Sequence, residues 1–214
     1  MKDRMKKIFF ILILISNFAF SQNSEALFNE GNELISKNKF SEAEKIFRNA
    51  LQETPDDLIL KSQLALTLIS QDKNDAAEKV ITEILSIRHD FTAALWYGGV
   101  NNFSKHEADY RKAIAYFEKA YSLIDPNSAQ FYGVNYYIGR SYRKLLYKEG
   151  LTYDEVNRML ETYKKYVELQ PQVEDTNDIR NFIEKVERKR TGKNVAKWIV
   201  TSDQHAADLL KKKE

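Results

Sequence analysis

The stretch that decides the fold is GNELISKNKFSEAEKIFRNALQETP, residues 31–55, which is followed 34 residues later by ALTLISQDKNDAAEKVITEILSIRH, residues 65–89. In the first copy, small and apolar side chains fall at spacings of 12, 4, 3 and 5, at Gly31, Ala43, Phe47, Ala50 and Pro55. The second copy keeps small residues at the first two positions and apolar residues at the next two, Ala65, Ala77, Ile81 and Ile84. Self-similarity at a fixed period of this length predicts stacked helix–turn–helix units.

Polar turns recur with the same period. Ser41-x-x-Glu44 and Asp75-x-x-Glu78 are both capping-box patterns, and they lie 34 residues apart. A capping box satisfies backbone N–H groups at the start of a helix, so each pattern predicts that a second helix begins there. The sequence therefore predicts a helical hairpin in each copy.

Two further copies follow with insertions. In the third, the step from Gly99 to Ala113 is 14 residues instead of 12, which places about two extra residues near the turn. In the fourth, the step from Gly139 to Met159 is 20, an insertion of about eight. Gly150 is predicted to end the lengthened first helix of this copy, and Thr152-x-x-Glu155 to start the next.

These residues resemble the tetratricopeptide repeat, a helix–turn–helix unit of 34 residues. Gly31 and Ala43 match the small residues where its two helices cross, and Pro55 matches its terminal proline. The resemblance implies an all-α fold, a right-handed α-solenoid of about four repeats. The apolar stripe of Ile179, Phe182, Ile183 and Val186 predicts a C-terminal capping helix. The predicted divisions are a signal peptide at 1–21, a repeat domain at 22–171 (copies at 22–57, 58–91, 92–127 and 128–171), the capping helix at 172–191 and a basic tail at 192–214.

Composition agrees with a helical fold. The 214 residues include only 7 Gly and 3 Pro, and 43% are apolar, which is enough for a buried core. The absence of cysteine excludes disulfides, zinc–thiolate sites, thiol catalysis and a cysteine-linked lipid anchor. Residues 22–184 carry 20 basic and 26 acidic side chains, whereas residues 185–214 carry 9 and 4. An acidic body with a basic tail argues against nucleic acid as the partner.

The N-terminus has the pattern of a secretory signal peptide. Four basic residues precede an apolar run at residues 8–15, and small residues follow at Ala19 and Ser21. Cleavage between Ser21 and Gln22 is expected, because the apolar run is shorter than the roughly 20 residues of a membrane-spanning helix. We therefore expect an exported protein, periplasmic or in the cell envelope if the source is a Gram-negative bacterium. An uncleaved membrane anchor is the alternative.

No pattern of catalytic or metal-binding chemistry is present in the sequence. His89, His106 and His205 are isolated, with no second ligand at metal-binding spacing. Gly-rich phosphate loops, nucleophile elbows and calcium-binding loops are also missing. The sequence therefore predicts a non-enzymatic protein with no catalytic residue, metal, cofactor or small-molecule substrate.

The candidate site is a protein-binding groove. In tetratricopeptide solenoids the first helix of each pair lines the concave side, where partners usually bind. On these helices the sequence offers aromatic, amide and basic side chains of the kind that anchor protein interfaces. The predicted partner-binding residues are Phe28, Asn32, Gln63, Trp96, Tyr97, Tyr136, Tyr137, Arg140 and Lys144.

The resemblance also limits the choice of partner. Chaperone-binding members of the family grip a terminal carboxylate with Lys and Asn side chains on these helices. Asn32 matches that set, but Phe28 stands where the first lysine would be, and Ala93 and Tyr97 replace the basic residues of the third copy. This departure favours an internal peptide segment or a folded partner.

The basic tail has two interpretations. Val195, Trp198 and Ile199 would lie on one side of a short helix, and Lys211-Lys212-Lys213 closes the chain. The segment could fold back as a second cap, which the sequence favours, or lie on an anionic membrane surface.

The predicted function is an exported adapter for a protein partner in an envelope or secretion complex. The alternative is a membrane-associated structural component held by an uncleaved leader or by the tail.

Overall fold

The protein is described by a computed structural model that covers residues 25–200. This part of the chain forms two compact units, of which the first ends at Tyr97 and the second begins at Gly98. Its elements are nine helices and no strand: α1 (residues 25–36), α2 (Phe40–Glu53), α3 (Leu58–Ile69), α4 (Asn74–Ile87), α5 (Thr92–Ser104), α6 (Tyr110–Tyr121), α7 (Ala129–Lys148), α8 (Tyr153–Leu169) and α9 (Thr176–Lys189). The predicted signal peptide lies outside the described residues, as do His205 and Lys211-Lys212-Lys213.

The 34-residue period is visible in the backbone of the first unit. Asn38 and Asp72 have φ values of 58° and 57°, the left-handed conformation that Asn and Asp tolerate better than most residues. After each of them the next residue, Lys39 or Lys73, donates its N–H to the carbonyl five residues before it. These bonds end α1 and α3 in the same way and turn the chain into the following helix.

Two of the three predicted capping boxes are wrong. The N-caps of α2 and α4 are Lys39 and Lys73, and neither helix has a side-chain cap, because both helices begin before Ser41 and Asp75. The third capping box is confirmed. The Thr152 hydroxyl accepts the N–H of Glu155, and the Glu155 carboxylate accepts the N–H of Thr152.

The core of each unit is built where a small residue on one helix faces a large residue on the next. A Cβ placed on Gly31 would lie 2.4 Å from the Phe47 ring. In the second unit, a Cβ on Gly99 would lie 2.4 Å from Phe117, and one on Gly139 would lie 2.7 Å from Tyr163. These glycines let the helix backbone approach the partner ring directly, as the predicted crossing points require.

The insertion in the fourth copy lengthens its first helix, as predicted, and its second helix is longer as well. α7 has 20 residues and α8 has 17, whereas α2, α3, α4 and α6 have 12 to 14. Gly150, with φ of 78°, follows the end of α7 and donates its N–H to the carbonyl of Leu145. The longer α7 gives the second unit one continuous helix face about 30 Å in length.

The segment after α9 folds back on the turn between α7 and α8. Leu151 and Trp198 exchange two backbone hydrogen bonds of 2.9 and 2.8 Å, and the Arg190 guanidinium donates to Asn157 and to the hydroxyl of Tyr153. The predicted short helix through Val195, Trp198 and Ile199 is wrong, because the backbone of Trp198 bonds across to Leu151 instead of along its own segment.

A carboxylate links the first two helix pairs. Glu44 on α2 accepts hydrogen bonds from Lys73 (2.7 Å), Gln71 (2.9 Å) and Arg48 (2.9 Å). Partial burial alone would raise the pKa of Glu44, but these three donors outweigh it and lower the pKa from 4.5 to about 2. The side chain therefore stabilises the folded state in its charged form.

The stability of the first unit should depend on this carboxylate between pH 4.5 and 2. A lowered pKa gives stabilisation that is complete above the usual pKa and is lost as the pH falls through the folded value. The lowered pKa corresponds to a stabilisation of the folded state by about 3 kcal/mol. We expect a stabilisation of about 1–2 kcal/mol, because Arg48 and Lys73 are largely exposed and water screens their charges. Denaturant unfolding at pH 7 should show that Glu44→Gln lowers the free energy of unfolding by this amount, and the difference from the unchanged chain should vanish near pH 2. Glu42→Gln, on the exposed face of α2, is the control, and an equal loss there would contradict the assignment.

Candidate functional site

The predicted partner-binding residues are divided between the two units. Phe28 and Asn32 lie on α1, Gln63 lies on α3, and Trp96 and Tyr97 lie on the part of α5 that belongs to the first unit. All five are half-buried. Burial raises the pKa of the Tyr97 hydroxyl, so this group is protonated at neutral pH. Their role in binding stays a prediction.

The second unit contains a pocket of about 430 Å³ between α7 and α9. Three predicted residues line it, Tyr136, Arg140 and Lys144. The complete lining is Tyr136, Arg140, Arg143, Lys144 and Tyr147 from α7, Tyr163 from α8, and Asp175, Asp178 and Ile179 from α9 and its N-cap. Helical geometry explains the contribution of α7, because residues spaced by three and four positions share one helix face.

The opposite face of α7 fixes its orientation. Val134, Ile138 and Leu145 are buried in the core of the second unit. Since α7 is anchored on that side, the face with Tyr136, Arg140 and Lys144 is left to form the pocket wall.

One cation of the pocket is neutralised within the chain. The Arg143 guanidinium donates to the Asp178 carboxylate at 2.6 Å and lies 4.1 Å from the ring centroid of Phe182. Burial alone would lower the pKa of Arg143, but the hydrogen bond to Asp178 outweighs it and raises the pKa. This ion pair joins α7 to α9 across the pocket.

The other two cations differ from Arg143. Arg140 donates to the hydroxyl of Tyr136, and its guanidinium lies 5.4 Å from the centroid of that ring. Within residues 25–200, neither Arg140 nor Lys144 has a carboxylate at ion-pair distance, and both side chains are exposed. The pocket therefore presents two positive charges that the described residues leave without a negative partner.

Tyrosines form the remaining surface. Tyr163 is fully buried, and burial raises the pKa of its hydroxyl. Tyr136 packs against Tyr166 at 5.0 Å between ring centroids, and the Tyr166 hydroxyl donates to Asp175 at 2.9 Å. Tyr147, with 43% of its surface exposed, is the most accessible aromatic side chain of the lining.

Tyr137 does not line the pocket. Its ring stacks on Phe117 at 5.2 Å and meets Phe103 edge-on at the same distance. It is half-buried between α5, α6 and α7, so it contributes to helix packing.

The residues missing from the predicted set are those that α9 brings to the pocket, together with Tyr147 and Tyr163. The sequence places three of them, Asp175, Asp178 and Ile179, only within the capping helix, because no spacing rule says which neighbouring helix a cap faces. Tyr147 could have been found, since it lies 11 residues after Tyr136 and so returns to the same face of α7.

Within residues 25–200, no three His, Cys, Asp or Glu side chains come together as a metal ion would require. None of the helices in that range combines the length and apolar character needed to cross a lipid bilayer.

Comparison with known proteins relates one segment of the chain to a repeat family. The tetratricopeptide repeat profile matches residues 34–97. No curated protein matches the sequence at a significant level. Among solved structures, a crystal structure of MamA protein aligns over 78% of this chain and 90% of its own, with 16% identity and a TM-score of 0.57.

Two further structures are similar. MamA from Desulfovibrio magneticus RS-1, residues 41 to the end, aligns over 79% of this chain and 98% of its own, with 14% identity and a TM-score of 0.59. A tetratricopeptide repeat protein from Parabacteroides merdae ATCC 43184 aligns over 78% of this chain and 61% of its own, with 17% identity and a TM-score of 0.59. These similarities show a tetratricopeptide-like helical fold, and the family profile identifies tetratricopeptide repeats at residues 34–97.

Proposed function

We propose that the chain is a non-enzymatic adapter that binds a segment of a partner protein in the pocket between α7 and α9. Tetratricopeptide repeat proteins generally serve as scaffolds for protein–protein interaction. The observation that supports this site is the combination of an accessible tyrosine, Tyr147, with two cations, Arg140 and Lys144, that have no carboxylate partner in the described residues. Tyrosine and arginine are among the residue types most enriched at the energetic centres of protein interfaces.

The state of the ionisable groups favours binding over catalysis. Burial raises the pKa of both Tyr136 and Tyr163, so neither hydroxyl supplies a base at neutral pH. The two carboxylates of the lining are engaged, Asp178 by Arg143 and Asp175 by the hydroxyl of Tyr166. The lining therefore offers hydrogen bonds and aromatic surface to a ligand, and no free carboxylate for acid–base chemistry.

Export of the protein is part of the proposal and rests on the sequence of residues 1–21. A basic start, a short apolar run and small residues before Gln22 are typical of a cleaved leader. We place the adapter in the cell envelope, in an assembly or secretion complex. An uncleaved leader, or retention by the basic tail, would make it a membrane-associated structural component instead. Mass spectrometry of the mature N-terminus and membrane fractionation distinguish the two.

Site-specific photocrosslinking in the full chain tests the binding site. A photoreactive phenylalanine analogue at position 147 should crosslink a partner protein, because this side chain borders the pocket and is exposed. The matched control is position 123, where Leu123 is 44% exposed outside the pocket. Tyr136→Ala should lower the yield at position 147 about fivefold, the effect of losing a contact of about 1 kcal/mol.

The outcomes are distinct. A protein crosslinked from position 147 and not from position 123 supports the pocket as the binding site. Equal yields at the two positions, or a yield at position 147 that Tyr136→Ala leaves unchanged in a folded protein, would remove the pocket from the function.

A further inference from the structure

We infer that the partner segment is acidic and extended, with carboxylates at alternate residues that pair with Arg140 and Lys144. This inference rests on the proposed function, because it assigns the chemistry of the partner at that same pocket. The inference starts from two positive charges on one face of α7, Arg140 and Lys144, which have no ion-pair partner among residues 25–200.

The chain itself contains an example of the contact. Asp178 is 67% exposed on α9, yet its carboxylate lies 2.6 Å from the Arg143 guanidinium. A carboxylate on an extended neighbour would meet Arg140 or Lys144 in the same manner, since both lie on the α7 face that Arg143 shares. Asp178 satisfies one cation of the pocket and leaves two for a partner.

The spacing of the two cations sets the spacing of the carboxylates. Arg140 and Lys144 are one helical turn apart, which corresponds to a rise of about 6 Å along α7. In an extended peptide, side chains on one face repeat every second residue, at about 6.6 Å. A sequence of the form acidic-x-acidic therefore matches the pocket, whereas adjacent acidic residues point to opposite faces.

Aromatic side chains stand on either side of the cations. Tyr136 lies one turn before Arg140, and Tyr147 lies about one turn after Lys144. They offer apolar surface to residues that flank the acidic pair, which gives the segment a defined position along α7.

The charges of the pocket also exclude other occupants. Residues 211–213 of this chain are three lysines, which the cations would repel. A nucleic acid backbone carries a negative charge at every nucleotide and would approach Asp175 and Asp178 as well as the cations. A segment with a single pair of carboxylates places negative charge only at Arg140 and Lys144, and so avoids that repulsion.

Peptide probes test the inference with the full chain. The probes are three fluorescein-labelled ten-residue peptides: one with alternating glutamate and serine, one with the same five glutamates placed so that no two of them are two residues apart (Glu-Glu-Ser-Ser-Glu-Glu-Ser-Ser-Glu-Ser), and one with glutamine in place of glutamate. Fluorescence anisotropy at low salt should show tightest binding for the alternating peptide. Salt at about 0.5 M should weaken that binding, because exposed ion pairs are screened.

Variants of the chain locate the contact. Arg140→Gln and Lys144→Gln should each weaken binding of the alternating peptide about threefold, and together about tenfold. Lys119→Gln removes the same charge from an exposed position on α6, outside the pocket, and should change binding less than twofold. The pocket variants are expected to fold, because both side chains are exposed.

Three results would overturn the inference. These are equal affinity for the alternating peptide and for the peptide that lacks glutamates two residues apart, equal loss with Lys119→Gln, or displacement of the peptide by a single-stranded oligonucleotide of matched charge at the same concentration as the unlabelled peptide. If these occur while position 147 still crosslinks a protein, the pocket binds a partner of different chemistry. If the crosslink is also absent, the proposed function fails with the inference.

Discussion

Replacing Gly99 by valine is expected to destabilise the second unit by about 3 kcal/mol or more. A single Cβ at this position would already lie 2.4 Å from the Phe117 ring. That ring has no room to move, because it is fully buried and stacks on Tyr137. Denaturant unfolding followed by far-ultraviolet circular dichroism should show the loss. Gly133→Ala within α7 is the control, and it should be neutral or slightly stabilising because alanine favours the helix.

The second helix pair supplies a sharper test of the same contact. Its equivalents of Gly99 and Phe117 are Ala65 and Ile81, both fully buried. Gly99→Ala and Phe117→Ile should each destabilise the chain, but the double variant should be more stable than the summed effects predict by about 1 kcal/mol. Strict additivity would mean that the glycine is required for a reason other than the approach of the ring.

Replacing Arg158 by methionine should be the next most damaging change, with an expected loss of about 2 kcal/mol. The Arg158 guanidinium makes two hydrogen bonds of 2.8 Å to Glu118 and lies 4.6 Å from the ring centroid of Tyr121. These hydrogen bonds raise the pKa of Arg158, so it is charged throughout the accessible range. The side chains of Arg158 and Glu118 are only 22% and 32% exposed, so removing the cation leaves a poorly solvated carboxylate between α6 and α8.

Two further variants define the contribution of Arg158. Arg158→Lys keeps the charge but makes a single contact, and should recover about half of the lost stability. Lys165→Met removes the exposed pair with Glu168 on the same helix and should change stability by less than about 0.5 kcal/mol. If Arg158→Met and Lys165→Met have equal effects in denaturant unfolding, the bidentate contact does not stabilise the packing of α8 on α6.

The errors in the predicted helix starts show that a four-residue sequence pattern does not by itself fix where a helix begins. Thr152-x-x-Glu155 is a true capping box, but Ser41-x-x-Glu44 has the same letters and lies inside its helix. The difference arises at Asn38, whose left-handed backbone starts the turn three residues earlier. Glu44 is then free to accept Lys73 from the next helix pair, a contact that no pattern within one copy contains.

The sequence by itself determined the repeat, the helix pairs and the chemistry of the exposed α7 face. Small and large residues at a constant spacing leave few ways for helices to approach closely, so the period alone predicts the fold. The same spacing, with its insertions, predicted the places of Gly99 and Gly139 on the first helices of their pairs and the lengthening of α7.

Only the tertiary structure decided which α7 side chains form a pocket and what closes it. Asp175 and Asp178 reach the site from α9 and its N-cap, and α9 begins 28 residues after α7 ends. Tyr137, next to Tyr136 in sequence, packs half-buried against Phe117 instead. The physical reason is that helical periodicity fixes which residues share a face, whereas the packing of neighbouring helices fixes which part of that face remains open.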